Sequence, residues 1–501
     1  VSVLRMQAVR RARAGVAASV SHPIFWPAFV LLGIYVVSYV AFAGELIAFP
    51  FDLDQGEGYD AWSGWLINLG QLPYTGNAVF PYYSHGYPPV WSYVVSIPMA
   101  WTGPGVGPAR AVSALATVGS TLLIGRAAYR ESRSAWIGLL AAGLFLSSPY
   151  VFHTTPLARV NALMLLLDLL ALSLFAEPTR RRAVLGAVVL ALAVFTKPTA
   201  IDAVVAGLLF LLLVDVRLAA LAGAVFGCVA GLGLLALQMA SRGTYVANVV
   251  LSNSSVFDAG QLWTYAQNFV LLHAVVLLLA LANLVQAVRV RRVTPWHIFA
   301  PVAALLALST IGKTGAGESY FLSTIAAVSI LAALEVDRLI SSGPVRAGLT
   351  LALAGALLLQ GLLFAHGPLS DALGWLPDRG LQANSLGHAP TAADRQAAGE
   401  LAALVRATPG PVLAEDASYD VVAGKELVGT SPPSLRNLWE ARLWDPAPLV
   451  ADLRAHRYSM VILDAELYPP PVLDAIGQSY FEDRTLRVNG ALYRVFRPGQ
   501  G

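Results

Sequence analysis

The chain of 501 residues is 56% hydrophobic and 13% charged, with a mean hydropathy of +0.63. A soluble domain carries about 25% charged residues, so composition excludes an ordinary globular protein in water. A formal charge of +3, with Lys and Arg confined to short clusters between apolar segments, gives no basic stripe and no nucleic-acid signature. The single cysteine, Cys228, excludes an intrachain disulfide framework and a Cys-based zinc site, and its apolar surroundings predict a packing role.

In chain order, apolar segments fall near 24–43, 88–103, 108–126, 135–150, 161–176, 183–196, 198–214, 217–239, 268–287, 297–311, 320–337 and 347–365. A span needs about 20 apolar residues, which predicts a mainly α, polytopic membrane bundle of about 10–13 spans. Arg10, Arg11 and Arg13 precede the first segment, and Ala41-Phe42-Ala43 resembles a signal-peptide cleavage site. The length of the run and the number of later segments favour an uncleaved first helix with a cytoplasmic N-terminus.

Basic clusters at Arg130 and Arg133, Arg180 to Arg182, Arg217, Arg289 to Arg292, and Arg338 with Arg346 separate these segments. If all of them face the cytoplasm, the segments from 108 onward alternate, and 151–160, 241–267, 312–319 and the C-terminal region fall outside. One crossing is then in excess. Segments 88–103, with Pro88, Pro89 and Pro98, and 135–150 have only about 16 residues each, so one of them is expected not to span.

The predicted organisation is a transmembrane domain over 1–366 with a first external loop at 44–87, a linker at 367–395 rich in Gly, Pro, Asp and Ser, and a small extracytoplasmic α/β domain over 396–501. In the last region, helix-like stretches at 391–407 and 447–456 alternate with β-like runs at Pro411–Ala414, Tyr458–Leu463 and Gly490–Phe496.

The first external loop is the most informative stretch. Asp52, Asp54, Glu57 and Asp60 lie directly after a membrane helix. One of them can act as general base on a hydroxyl, or Asp52, Asp54 and Glu57 can hold a divalent cation such as Mg, Mn or Ca through hard oxygen ligands. Gly56 and Gly58 permit close approach of the backbone to a ligand. The plainer alternative is a solvated acidic turn. Farther on, Tyr82-Tyr-Ser-His-Gly-Tyr-Pro-Pro-Val90 offers His85 for a phosphate or metal, and Tyr87 for a sugar face or an interfacial aromatic belt.

Arg159, Asn161, Lys197, Lys313, Glu318 and Tyr320 fall on the same predicted side as Asp54. Cations there suit an anionic phosphate leaving group, with snorkelling to lipid headgroups as the alternative. Asp168 and Asp202 lie deeper in their helices, where they pair between helices or mark an ion path.

The chain order of these features resembles the GT-C superfamily of membrane glycosyltransferases, which includes protein O-mannosyltransferases and the aminoarabinose transferase of lipid A. A first helix leads into Asp54-Gln-Gly-Glu57, Tyr87-Pro-Pro-Val90 opens the second apolar segment, Arg110 begins a long apolar run, and the turn from Pro156 to Asn161 precedes another helix. Asp54-x-Gly-Glu-Gly58, Phe195-Thr-Lys197, Ser319-Tyr-Phe-Leu322, Val412-Leu-Ala-Glu-Asp416 and Ala423-Gly-Lys425 resemble a bacterial subgroup of the same superfamily.

The resemblance implies an inverting transfer of a sugar from a polyprenyl-phosphate donor to an extracytoplasmic glycan, lipid or protein acceptor, in a bacterial cytoplasmic membrane. It maps the catalytic carboxylate onto Asp54, with Glu57 as the other candidate. His85, Tyr87, Arg159, Asn161, Lys197, Lys313, Glu318 and Tyr320 are then candidates for substrate binding. Relatives often carry a second aspartate where this chain has Asn161, and an amide cannot serve as a base at neutral pH. The competing expectation is a non-catalytic binder or transporter of a lipid-linked substrate, which would tolerate loss of Asp54 and Glu57 but respond at Asp168 or Asp202.

Overall fold

The computed structural model describes residues 23–74, 76–251, 256–313, 315–341, 347–365 and 389–499. The N-terminal arginines, Arg346 and most of the expected linker lie outside the described residues.

Four helical stretches are each long and apolar enough to cross a membrane: Pro23–Ala48, Val106–Ser132, Val216–Ala240 and Glu318–Ser341. Shorter apolar helices pack among them, including Ala135–Leu146, Asn161–Phe175, Pro295–Thr310 and Ala347–Leu363. The architecture is a multi-pass membrane bundle. Burial orders it: Leu322–Ser341 is enclosed almost throughout and packs on Val106–Ser132, Ala135–Leu146, Ala274–Arg289 and Pro295–Thr310. Val216–Ala240 buries only Ala222 and presents apolar residues outward, as a lipid-facing helix does. Cys228 is exposed on that helix, so it does not pack in the core as its surroundings in sequence had suggested.

The two short segments behave differently. Val90–Thr102 has 13 residues, about 20 Å at 1.5 Å per residue, against a hydrocarbon core of about 30 Å. It packs on the loop helix Glu57–Asn68, and its exposed Tyr93, Ile97 and Trp101 form a stripe suited to a membrane–water interface. The other segment is longer than expected, because Ala135–Leu146 breaks at Ser147 and Ser148 and resumes as Pro149–Thr154. Apolar segment 268–287 is not one straight helix: Ala259–Leu272 and Ala274–Arg289 meet at 83° around His273, whose ring nitrogen Nε2 lies 2.9 Å from Ser148 Oγ.

The C-terminal domain carries a four-stranded sheet of order β1-β2-β4-β3, with β1 Val412–Ala414, β2 Met460–Leu463, β3 Tyr480–Val488 and β4 Ala491–Pro498. β1 pairs parallel with β2, and the other pairs are antiparallel. β3 was not anticipated, because as an exposed edge strand it carries Glu482, Asp483, Arg484 and Arg487 in place of an apolar alternation. Helix Ala392–Ala407 opens with a capping box between Thr391 and Asp394.

This domain is fastened to the first loop. Gly429 N donates to Pro81 O at 2.6 Å, Trp444 Nε1 to Asn77 O at 2.7 Å, and Tyr59 Oη to Ala414 O at 2.8 Å. The Phe51 and Tyr419 rings stack at 4.9 Å. Loop and domain therefore lie at the same end of the bundle.

Candidate active site

The acidic loop folds around two arginines. Glu57 begins helix Glu57–Asn68 and is fully buried, as is Arg110 from Val106–Ser132. Arg110 Nε donates to Glu57 Oε1 at 2.9 Å and Nη2 to Oε2 at 2.6 Å; its remaining donors reach the carbonyls of Leu46, Phe49 and Phe51. Glu57 also accepts from the backbone N–H of Leu53 at 2.9 Å and of Ala158 at 2.6 Å. Burial alone would raise the Glu57 pKa, but Arg110 and these amides hold it below the usual carboxylate range. An ionised group so fully bonded has no position from which to take a proton from a substrate. Glu57 ties loop, bundle and the 158–161 turn together, which corrects its candidacy as a base.

The second arginine, Arg159, binds the other carboxylates. Its Nε donates to Asp54 Oδ2 at 2.7 Å, Nη1 to Asp60 Oδ2 at 3.0 Å, and Nη2 to Gln55 O at 2.5 Å. Gly56 at φ +99° leaves room for this guanidinium; a Cβ there would sit 2.9 Å from Arg159 Nη1. Gly58 similarly faces Ser418 N, where a Cβ would meet the backbone at 2.7 Å. The glycines thus admit the chain's own residues.

Of the four loop carboxylates, Asp54 alone is substantially open, with 34% of its side chain exposed. Burial pushes Asp60 up to about 6 against the opposing pull of Arg159. His85 Nδ1 lies 3.8 Å from Asp60 Oδ1, but burial, reinforced by Arg159, lowers the imidazole to about 3 and keeps it neutral. Tyr87 packs edge-on against His85 at 5.7 Å.

Lys197 sits in the turn after Arg180–Val194. Its Nζ donates to Asn161 Oδ1 at 2.7 Å and lies 4.3 Å from the centre of the Tyr320 ring. Burial and repulsion from Arg159 lower its pKa to about 8, with Asp60 pulling the other way. Beside it runs a narrow crevice of about 10 Å³ lined by Met164, Thr199, Asp202, Thr310, Tyr320 and Ser323. Asn161 is thus the polar anchor of a buried lysine.

Two candidates stand apart. Glu318 Oε2 faces His153 Nδ1 at 3.5 Å inside the bundle. Lys313 bridges to Phe257 through its backbone, and among the described residues no bond or ion pair joins its ammonium to the cluster. The expected cation ligands do not converge either: Asp52 turns to Ser418, Glu57 to Arg110 and Asp54 to Arg159. Among the described residues no group of three or more His, Cys, Asp or Glu side chains is placed to hold a metal ion. In this structure Asp52, Asp54 and Glu57 each face a different partner.

Arg110 and Ser418 were missed as site residues. An arginine in an apolar run was the readable signal for Arg110, because such a charge needs a partner. Ser418, from the distant soluble domain, carried none. Asp52 N donates to Ser418 Oγ at 2.8 Å and Ser418 N donates to Asp52 Oδ2 at 3.1 Å.

The site thus lies where a membrane bundle is capped at one end by a small α/β domain, with an acidic loop and buried cations between them. Residues 85–268 match the model of glycosyltransferase family 87, a stretch of less than half the chain that holds Arg110, Arg159, Asn161 and Lys197. The structure is similar to that of ArnT from Cupriavidus metallidurans bound to undecaprenyl phosphate, with a TM-score of 0.59 and 16% identity over 92% of this chain and 98% of that one. The apo structure of the same protein is similar at a TM-score of 0.58 and 15% identity, covering 92% of this chain and 97% of that one. At that identity the likeness is one of fold. A comparison with curated protein sequences finds no match.

Proposed function

We propose that the protein is an inverting glycosyltransferase that moves a sugar from a polyprenyl-phosphate donor to an acceptor hydroxyl on the extracytoplasmic side of a bacterial cytoplasmic membrane. The single observation that carries this reading is the placement of a partly open carboxylate, Asp54, on Arg159 at the same end of the bundle as a buried lysine, Lys197. The undecaprenyl phosphate in the similar ArnT structure supports the donor class.

Asp54 takes the proton of the acceptor hydroxyl as its oxygen attacks the anomeric carbon from the face opposite the phosphate. The bond from that carbon to the phosphate oxygen breaks, and the polyprenyl phosphate leaves with the electron pair. Attack and departure on opposite faces invert the centre. Lys197, beside its crevice between helices, neutralises the leaving phosphate, and Arg159 holds Asp54 in orientation. Asn161 and Tyr320 position the lysine. Asp60 fixes the second edge of Arg159, and His85 with Tyr87 packs behind Asp60.

The test is sugar transfer in reconstituted membranes from a panel of radiolabelled polyprenyl-phosphate sugars, with wild type compared with Asp54→Asn. Turnover lost in a folded Asp54→Asn protein supports the transferase. Binding of a lipid-linked sugar without consumption, unchanged in Asp54→Asn, overturns it in favour of a binder or transporter.

A further inference from the structure

A cleft of about 560 Å³ lies between the loop helix Glu57–Asn68 and the soluble domain. That volume is within the range of small-molecule sites, about 300–1,000 Å³. One wall carries Trp62 and Trp65, three residues apart on one face of the helix and both half-buried. Phe80 and Tyr83 from the later part of the loop add two more rings, and Gln71 and Glu426 supply exposed polar groups.

The chemistry of the lining is selective. Lys425 is the cation among its residues, and its ammonium is committed to Thr408 O at 2.6 Å and Gly410 O at 2.8 Å. Glu426 balances the charge of Lys425 in the lining, so the cleft has no net positive charge to select a phosphate or an anionic lipid headgroup. Flat indole faces with hydrogen-bonding groups beside them suit the C–H faces and hydroxyls of neutral sugar rings.

Position along the helix adds a second constraint. At 100° per residue, Trp62, Trp65 and Leu66 point away from Asp60, which faces Arg159 on the far side of the same helix. A ligand in the cleft does not touch the reacting atoms. We infer that the cleft is a saccharide-binding site that holds a neutral stretch of the acceptor glycan, remote from the hydroxyl that reacts. The inference rests on the transferase reading for the identity of the ligand as acceptor; saccharide binding itself does not.

The experiment uses the full-length protein in lipid nanodiscs, titrated with gluco-, manno- and galacto-oligosaccharides of graded length and read by tryptophan fluorescence and calorimetry. The expected result is that one series binds more tightly as its length grows, and that Trp62→Ala and Trp65→Ala each weaken it by tenfold or more. Trp65→Phe should restore much of the loss. Trp101→Ala, on the exposed stripe of the neighbouring helix, should leave binding unchanged, and all variants should keep the wild-type melting point and undecaprenyl phosphate binding. The inference is overturned if no series binds, if binding survives the Trp62→Ala/Trp65→Ala pair, or if short-chain phosphatidylglycerol displaces the sugar. Because binding is read without turnover, a failed cleft leaves the transferase standing, and an inactive protein whose oligosaccharide binding follows the indoles leaves the cleft standing.

Discussion

Glu57 and Arg110 form a two-bond ion pair in which neither side chain reaches solvent, although the two residues come from different structural layers. Removing one partner strands the other charge, at a cost of about 3–5 kcal/mol. Arg110→Ala should therefore lose most folded protein, and Glu57→Gln should lower the melting temperature together with activity. Size-exclusion profiles and thermal melts in detergent check this. A Glu57→Gln protein with wild-type stability and no turnover would return Glu57 to the list of bases.

Asp54→Asn should behave in the opposite way. Its side chain is one-third exposed, so the melting point should hold, while transfer falls by about 10²–10⁴, the range of a lost general base. Initial rates at saturating donor, set beside melts of the same preparations, give the answer.

The acid limb of activity should reflect Asp60. Its pKa of about 6 means that, as pH falls through that value, Arg159 loses one of its two anionic partners and Asp54 loses a fixed orientation. Turnover should drop over that interval. Asp60→Asn should be slower at neutral pH and show no limb near 6 in a pH–rate profile.

Lys197 sets an alkaline limit on donor binding. With its pKa lowered to about 8, the ammonium is lost as pH rises through that value. Affinity for undecaprenyl phosphate should fall accordingly. Lys197→Gln should weaken it by about 10–100-fold at neutral pH, as expected for a charged hydrogen bond of about 1.5–3 kcal/mol, and should show no further alkaline loss. Calorimetric titration at graded pH would detect either failure.

The junction between loop and soluble domain should be more stable in mild acid than in mild base. Burial and Glu57 raise Asp52 to about 7, and burial with Glu415 raises Asp464 to about 8, from an ordinary 3.8. A carboxyl whose folded pKa is raised favours the protonated folded state. Its contribution is complete below the unfolded value and is lost as pH rises through the folded one. Melting temperature should decline between about pH 5 and 8, and Asp52→Asn or Asp464→Asn should flatten that decline.

Hydropathy by itself determined the membrane class, the helical bundle and the presence of a small strand-containing C-terminal region, because burial in lipid demands long apolar runs that no other constraint produces. The acidic loop and the shared side of Arg159, Lys197 and Tyr320 were also legible, since charges beside apolar segments are costly without a purpose. Only the tertiary structure decided what each charge does. Asp54 and Glu57 are three residues apart and chemically alike, yet one is open on Arg159 and the other is enclosed by Arg110, 53 positions away. Likewise, Ser418 reaches Asp52 across 366 positions. Such roles arise from contacts between distant segments, whereas composition and spacing record only local preference. The register in which helix 106–132, the 158–161 turn and the soluble domain meet the loop therefore assigns the chemistry.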